Sequence, residues 1–337
     1  MSTIPPPGPT LPSAREARVD SWSSYWRGGA LHSCAGSFSG NYAGSLREFW
    51  EARFAQLPDA ARVLDACCGN APLSQLLCAH EAFRERGAQI DAVDLAEIAP
   101  PWIAAMPAGE RGRLQVHARV DVELLPFDEG SFDFCMSQFG VEYAGAAALA
   151  ELRRVLRPEG VFAALVHHID ALPVRIAREE LTHAEWIEAQ GLPEIVARLI
   201  EPMARSATAE GQQALRRDAA ANDLRARFNG ILEQMQQRIE GALFPDLLAE
   251  TRDGLMAVLQ RARLAGVEAA DNALGHWRQE HARSLLRQRE LIEHARDREA
   301  LETWLEPMAG KDREVRPISF ANGELAGWAV VVGGRPG

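Results

Sequence analysis

Four polar residue sets stand at the ends of short apolar runs, spaced so that one ligand can meet all of them. The first run ends at Asp65 and leads into Cys67, Cys68, Gly69, Asn70 and Ala71, a turn of small residues before Pro72 opens a helical pattern. Asp94, with Leu95 beside it, ends the second run, Asp121 followed by Val122 the third, and Ser137-Gln138-Phe139-Gly140 the fourth. Open α/β sheets bind ligands at the carboxyl ends of their strands, and an acid at the end of the second strand suits ribose hydroxyls. Each acid alone is equally well read as a solvated loop start or a helix cap. The signal is their order and spacing as a set.

A dinucleotide fingerprint would need glycines where this chain has Cys67, Gly69 and Pro72. Asp65 beside the turn repels phosphate and suits an ammonium or sulfonium group. The turn therefore reads as a site for a cationic nucleoside without phosphate, and an NAD-dependent oxidoreductase is disfavoured. Cys67 and Cys68 read as small residues filling a tight turn. The five cysteines show no paired spacing, which points away from a metal site or a disulfide framework. His167 and His168 end a fifth apolar run, where an imidazole can act as general base or bind substrate, or simply open a loop. Glu142 and Tyr143, after the fourth run, are candidates of the same kind.

The elements that must hold these residues follow from periodicity. Residues 1–14 are proline-rich and read as a disordered leader. Residues 18–43 interleave Trp22, Tyr25, Trp26, Phe38 and Tyr42 with Ser, Gly and Asn, a loop-like chemistry rich in aromatics. They either pack as ordinary cover or close one side of a ligand site, with Tyr25, Arg27 and His32 meeting its polar end. A helix is expected over about 44–57, and strands near 61–65, 89–95, 114–121, 131–139 and 161–168, with a helix over 145–156 and a turn at Pro158-Glu159-Gly160. Strands alternating with helices make a parallel sheet. Residues 170–310 are helical in pattern, the longest helix spanning about 267–306 with a break near Gly275. Residues 314–334 read as a hairpin turning at Asn322-Gly323. The parts are a leader (1–14), an aromatic cap and helix (15–59), a ligand-binding core (60–169), a helical insertion (170–310) and a closing hairpin (311–337).

The composition, 47% hydrophobic and 25% charged over 337 residues with a net charge of −11, is that of a folded protein. The acidic balance argues against nucleic acid as the main partner. The lack of a long apolar run argues against a membrane span. With its cysteine usage, the chain is expected to be cytoplasmic.

The motifs also resemble a family. "VLDACCGNAPLS", "AVDLAEI", "DVELLPFDEGSFDFCMSQFG" and "ELRRVLRPEGVFAAL" are similar to successive motifs of class I S-adenosylmethionine-dependent methyltransferases, of the small-molecule type that includes the ubiquinone and menaquinone enzymes. The resemblance covers about 60–168 and the hairpin. It implies a Rossmann-like, doubly wound sheet of seven strands with an antiparallel last strand, and S-adenosyl-L-methionine as cofactor. It places Asp65 near the methionine amino group, and the backbone at Cys67, Gly69, Asn70 and Ala71 under methionine and ribose. Asp94 would hold the ribose, Asp121 and Val122 the adenine, and Ser137 and Gln138 the methionine end. The family has glycine at the positions of Cys67 and Ala71, so binding is expected to survive if both keep negative φ.

The expected function is methyl transfer to a small-molecule acceptor, with His167, His168 and Tyr143 as candidate catalytic residues. The alternative is a non-catalytic binder of the cofactor whose first motif has drifted. The insertion is open to three roles: lid, substrate wall or homodimer interface.

Overall fold

The computed structural model describes residues 13–33, 40–310 and 312–333. It divides into two compact units. One comprises the described residues up to Val174 together with those from Glu290 onward; the other is Arg175–Arg289. The helical unit is therefore narrower than the expected 170–310.

The first unit is built on seven strands: β1 (Arg62–Ala66), β2 (Gln89–Asp94), β3 (Leu114–Ala118), β4 (Phe132–Gln138), β5 (Leu156–Val166), β6 (Arg313–Ser319) and β7 (Leu325–Val332). Their order in the sheet is β3-β2-β1-β4-β5-β7-β6. Strands β1 to β5 pair in parallel, and β7 runs antiparallel to both β5 and β6. This is the doubly wound, mostly parallel sheet with an antiparallel last strand that the motifs imply. Strand residues alternate between two apolar layers. Val63, Phe134 and Met136 pack with Trp50, Phe54, Leu73 and Leu77 on one face; Leu64, Phe132 and Cys135 pack with Leu149, Leu152 and Leu301 on the other.

The helices, in chain order, are α1 (Ala14–Arg27), α2 (Gly44–Phe54), α3 (Pro72–Ala79), α4 (Glu81–Arg84), α5 (Ala108–Arg111), α6 (Ala148–Val155), α7 (Leu172–Gln190), α8 (Leu192–Arg205), α9 (Ala209–Leu215), α10 (Ala219–Gly241), α11 (Asp246–Ala265), α12 (Val267–His294) and α13 (Arg298–Trp304). The helical unit has its own core, where Leu192, Ile195 and Leu199 meet Phe228, Ile231, Leu255 and Leu259. No helix among the described residues is long and apolar enough to cross a membrane.

Several expectations are corrected. Most of the leader (1–12), together with Cys34 and Phe38, lies outside the described residues. The stretch from Ala14 is not loop but helix α1. Ser13 caps it, its hydroxyl accepting from the Glu16 N–H (3.2 Å) while the Glu16 carboxylate accepts from the Ser13 N–H (2.7 Å). Trp22, Tyr25 and Trp26 stand at i, i+3 and i+4, a helical stripe hidden by the serines between them. Strand β3 stops at Ala118, because Arg119 turns to φ 61° and the Val120 N–H donates to the Asp94 carbonyl. The turn at Pro158–Gly160 is a bulge within β5: Phe132 pairs with Leu156 and Phe134 with Val161, so four residues oppose one. The last long helix breaks at Ala295–Asp297 rather than Gly275. There the Arg296 N–H donates to the His167 carbonyl, and Asp297 caps α13.

Ser13→Ala is expected to cost α1 about 1 kcal/mol, since a lost cap leaves helix N–H groups unsatisfied. Amide hydrogen exchange across Glu16–Arg27 reads this as roughly fivefold faster opening.

Candidate functional site

The turn after β1 holds the site's geometry. Cys67, Gly69 and Ala71 have φ of 56°, 54° and 56°. Negative φ at Cys67 and Ala71, the condition under which binding was expected to survive, is therefore not met. Both side chains sit in the left-handed region, at about 1–2 kcal/mol each relative to glycine. Neighbouring bonds hold them there. The Cys68 N–H donates to the Val93 carbonyl (3.0 Å), and the Ala71 N–H closes the turn on the Cys68 carbonyl (2.8 Å). Gly140 follows from this path, because a Cβ there would lie 2.7 Å from the Cys67 Cβ.

Two carboxylates, buried Asp65 and half-buried Asp94, brace the turn. Asp94 accepts from the Gly69 N–H and the Ala96 N–H, each at 2.8 Å. Asp65 accepts from the Ser74 hydroxyl (2.7 Å) and the Ser74 N–H (3.1 Å) at the start of α3. Burial raises both acids above the ordinary carboxylate range, Asp65 to about 7, and the Ser74 bonds only partly offset this for Asp65. Burial also pushes the Cys67 and Cys68 thiols well up, so both stay protonated and unreactive at neutral pH.

A cavity of 380 Å³ opens beside the turn. It is bounded by Cys67, Asp94, Leu95, Asp121, Val122, Phe139, Gly140 and Tyr143, and by Arg15, Arg18, Trp22 and Trp26 of α1. Trp22 and Trp26 stack with ring centroids 5.6 Å apart. The guanidinium of Arg15 pairs with Asp121, whose other oxygen accepts from the Glu123 N–H (2.9 Å). Arg18 pairs with Glu290 and donates to the Tyr143 carbonyl (2.8 Å). Beyond the turn lies a niche of only 20 Å³, lined by Trp26, His32, Tyr42, Asp65, Cys67, Cys68, Leu73, Gln138 and Phe139 among others.

Residues 64–164 match the family described as "Methyltransferase domain". This stretch is similar to methyltransferase domains. A malonyl-[acyl-carrier protein] O-methyltransferase of Salmonella typhimurium is 36% identical over 105 residues, 31% of this chain and 38% of the relative. One of Enterobacter lignolyticus is 32% identical over 130 residues, 36% of this chain and 46% of the relative. The chain thus spans less than half the length of these relatives. Among solved structures, the Burkholderia thailandensis 1,6-didemethyltoxoflavin-N1-methyltransferase, with 1,6-didemethyltoxoflavin and S-adenosylhomocysteine bound, is 25% identical at a TM-score of 0.34, covering 48% of this chain and 68% of that one.

The first unit gathers many of the expected residues around the cavity and niche: Asp65, Cys67, Asp94, Leu95, Asp121, Val122, Gln138 and Tyr143. Others serve it from behind. Asn70 donates to the carbonyls of Trp26 (2.9 Å) and Ala30 (2.7 Å), so it pins the end of α1. The Ser137 hydroxyl donates to the Ala66 carbonyl (2.8 Å) and accepts from the Val141 N–H. Buried Ala71 precedes α3. Tyr25 donates to the His32 carbonyl (3.1 Å) and does not line the cavity, which receives its helix neighbours Trp22 and Trp26 instead. Arg27 faces Glu97 at 3.7 Å, and His32 reaches the niche with its Nε2 on the Gly40 carbonyl.

Neither histidine lines the cavity. His167 is buried, its Nδ1 2.8 Å from a Glu142 carboxylate oxygen and its ring stacked on Phe139 at 4.4 Å. His168 accepts from the Asp170 N–H (2.9 Å) and lies against Trp328 at 4.5 Å. Of the three candidate catalytic residues, the first unit brings only Tyr143 to the cavity. The residues missed are Arg15 and Arg18; Trp22 and Trp26, named among the aromatics that could close a ligand site, both line the cavity. The signal that would have found them is the capping box at Ser13 and Glu16, which makes one face of α1 carry Arg15, Arg18, Trp22 and Trp26.

Asp65 gives a pH test. Its carboxyl titrates near 3.8 when unfolded and near 7 when folded, so the folded state favours the protonated form. The stability this adds is full below about pH 4 and is lost as pH rises through about 7. Asp65→Asn is expected to flatten that decline, read by urea denaturation at pH 5 and pH 8. An unchanged difference between the two pH values would show that Asp65 does not titrate in this range.

Proposed function

We propose that the chain binds S-adenosyl-L-methionine and transfers its methyl group to a small-molecule acceptor. The supporting observation is the arrangement at the β1 and β2 strand ends. A turn in the glycine conformation, a carboxylate on each side of it and an apolar cavity meet beside the β1/β4 switch point, where open sheets bind nucleosides. The group supplies a methyl activated on a sulfonium.

Each residue has a distinct part in this reading. The Asp94 oxygens each accept one backbone N–H and retain acceptor capacity toward ribose hydroxyls. Leu95 and Val122 offer apolar walls to an adenine, and Asp121 an acceptor for its amine once Arg15 yields. Asp65 suits an ammonium, which would draw its carboxyl into the ionised form. Tyr143, Arg18 and Trp22 remain to face the acceptor. Aligning an acceptor against an already activated carbon supplies much of the rate, so no dedicated base is needed.

The drifted, non-catalytic alternative rested on side chains at Cys67 and Ala71. Both adopt the left-handed conformation open to glycine, which speaks for a turn that keeps its path despite the two side chains. The printed names of the relatives suggest an acceptor that is a small carboxylate on a carrier or a free metabolite.

Calorimetric titration with S-adenosylmethionine and S-adenosylhomocysteine is expected to give one site per chain. Asp94→Ala is expected to weaken both by about 1–3 kcal/mol through lost hydrogen bonds. Absence of binding by either ligand to the wild-type chain would overturn the proposal.

A further inference from the structure

The 380 Å³ cavity and the 20 Å³ niche share three lining residues, Trp26, Cys67 and Phe139. These side chains are the wall between the two spaces. The proposed cofactor needs both sides of that wall. Its nucleoside belongs with Asp94 and Val122 in the cavity, and its amino-acid end belongs with Asp65, which lines only the niche. The niche has room for about one water molecule.

Two of the three wall residues are fixed. Cys67 is held in its left-handed turn. Phe139 is held by its own N–H donating to the Leu165 carbonyl (2.7 Å) and by the stack on His167. Trp26 differs. It sits in the last turn of α1, its ring lying so close over Gly69 that a Cβ there would be 2.4 Å from the ring. Asn70 holds its carbonyl, and its ring, packed at the edge of the core, has its stacking partners Trp22 and Tyr25 on the same helix.

We propose that Trp26 is a gate over the amino-acid half of the cofactor site. The ring on Gly69 divides the site in two, and the ring withdrawn joins cavity and niche into one channel from Val122 to Asp65. Ligands confined to the nucleoside half do not require the gate to move. Ligands carrying the amino-acid limb do, and their apparent affinity is lowered by the fraction of chains in the joined state. The inference rests on the cofactor reading above.

The test compares adenosine with S-adenosylhomocysteine, by calorimetry, on the wild type and Trp26→Ala. The ratio of S-adenosylhomocysteine affinity to adenosine affinity is expected to rise about tenfold in the variant, since loss of the ring from the cavity wall acts on both ligands alike. Circular dichroism verifies the fold. Should Trp26→Ala fail to fold, Trp26→Leu carries the same comparison. A ratio that is unchanged or lower in the folded variant overturns the gate and leaves the cofactor reading standing. An equal gain for adenosine also overturns it, since the ring would then obstruct the whole cavity. Absence of S-adenosylhomocysteine binding to both wild type and variant removes the cofactor reading, and the gate with it.

Discussion

The hydrogen bond from the Gly69 N–H to Asp94 ties the site together. It joins the turn after β1 to the end of β2, and the other Asp94 oxygen takes the Ala96 N–H of the chain leaving β2. One carboxylate thus sets the path of two loops. The cost is a partly desolvated charge, visible as a raised affinity for a proton. A carboxylate in this position is worth that cost only when further donors complete its shell, which is the physical reason to expect a ligand there.

The same bond explains how the turn tolerates Cys67 and Ala71. Left-handed backbone at a residue with a Cβ is unfavourable by an amount smaller than the bonds that enforce it. Ala71 is fully enclosed, whereas the Cys67 side chain packs beside Gly140 and lines both the cavity and the niche. The substitutions change local strain and leave the shape of the ligand-facing backbone in place.

Around this centre, α1 supplies what the sheet lacks. The strand ends offer acids and backbone; α1 brings two arginines and two stacked tryptophans across the cavity. Asn70 fastens its far end through the Trp26 and Ala30 carbonyls, and Ser13 and Glu16 cap its near end. Arg15 pairs with Asp121 and Arg18 with Glu290, so two separate ion pairs fasten this helix over the site.

The alternation of strands with helices and the acids at the strand ends were legible in the chain because they depend on local period and on short motifs. Alternation of apolar runs with helical stripes dictates a parallel sheet, and the Asn322-Gly323 pair dictates the closing hairpin. The sign of φ at Cys67 and Ala71 was not legible. It is set by bonds to Val93 and Asp94, residues on another strand. Nor was it legible that Tyr143 alone of the three lines the cavity, even though its ring lies 6.0 Å from that of His167. All three stand at strand ends, yet Glu142, Phe139 and Trp328 hold the histidines elsewhere. The sequence by itself determined which groups reach the carboxyl edge of the sheet. Only tertiary packing decided which of them face the cavity, because side-chain direction there depends on partners distant in the chain.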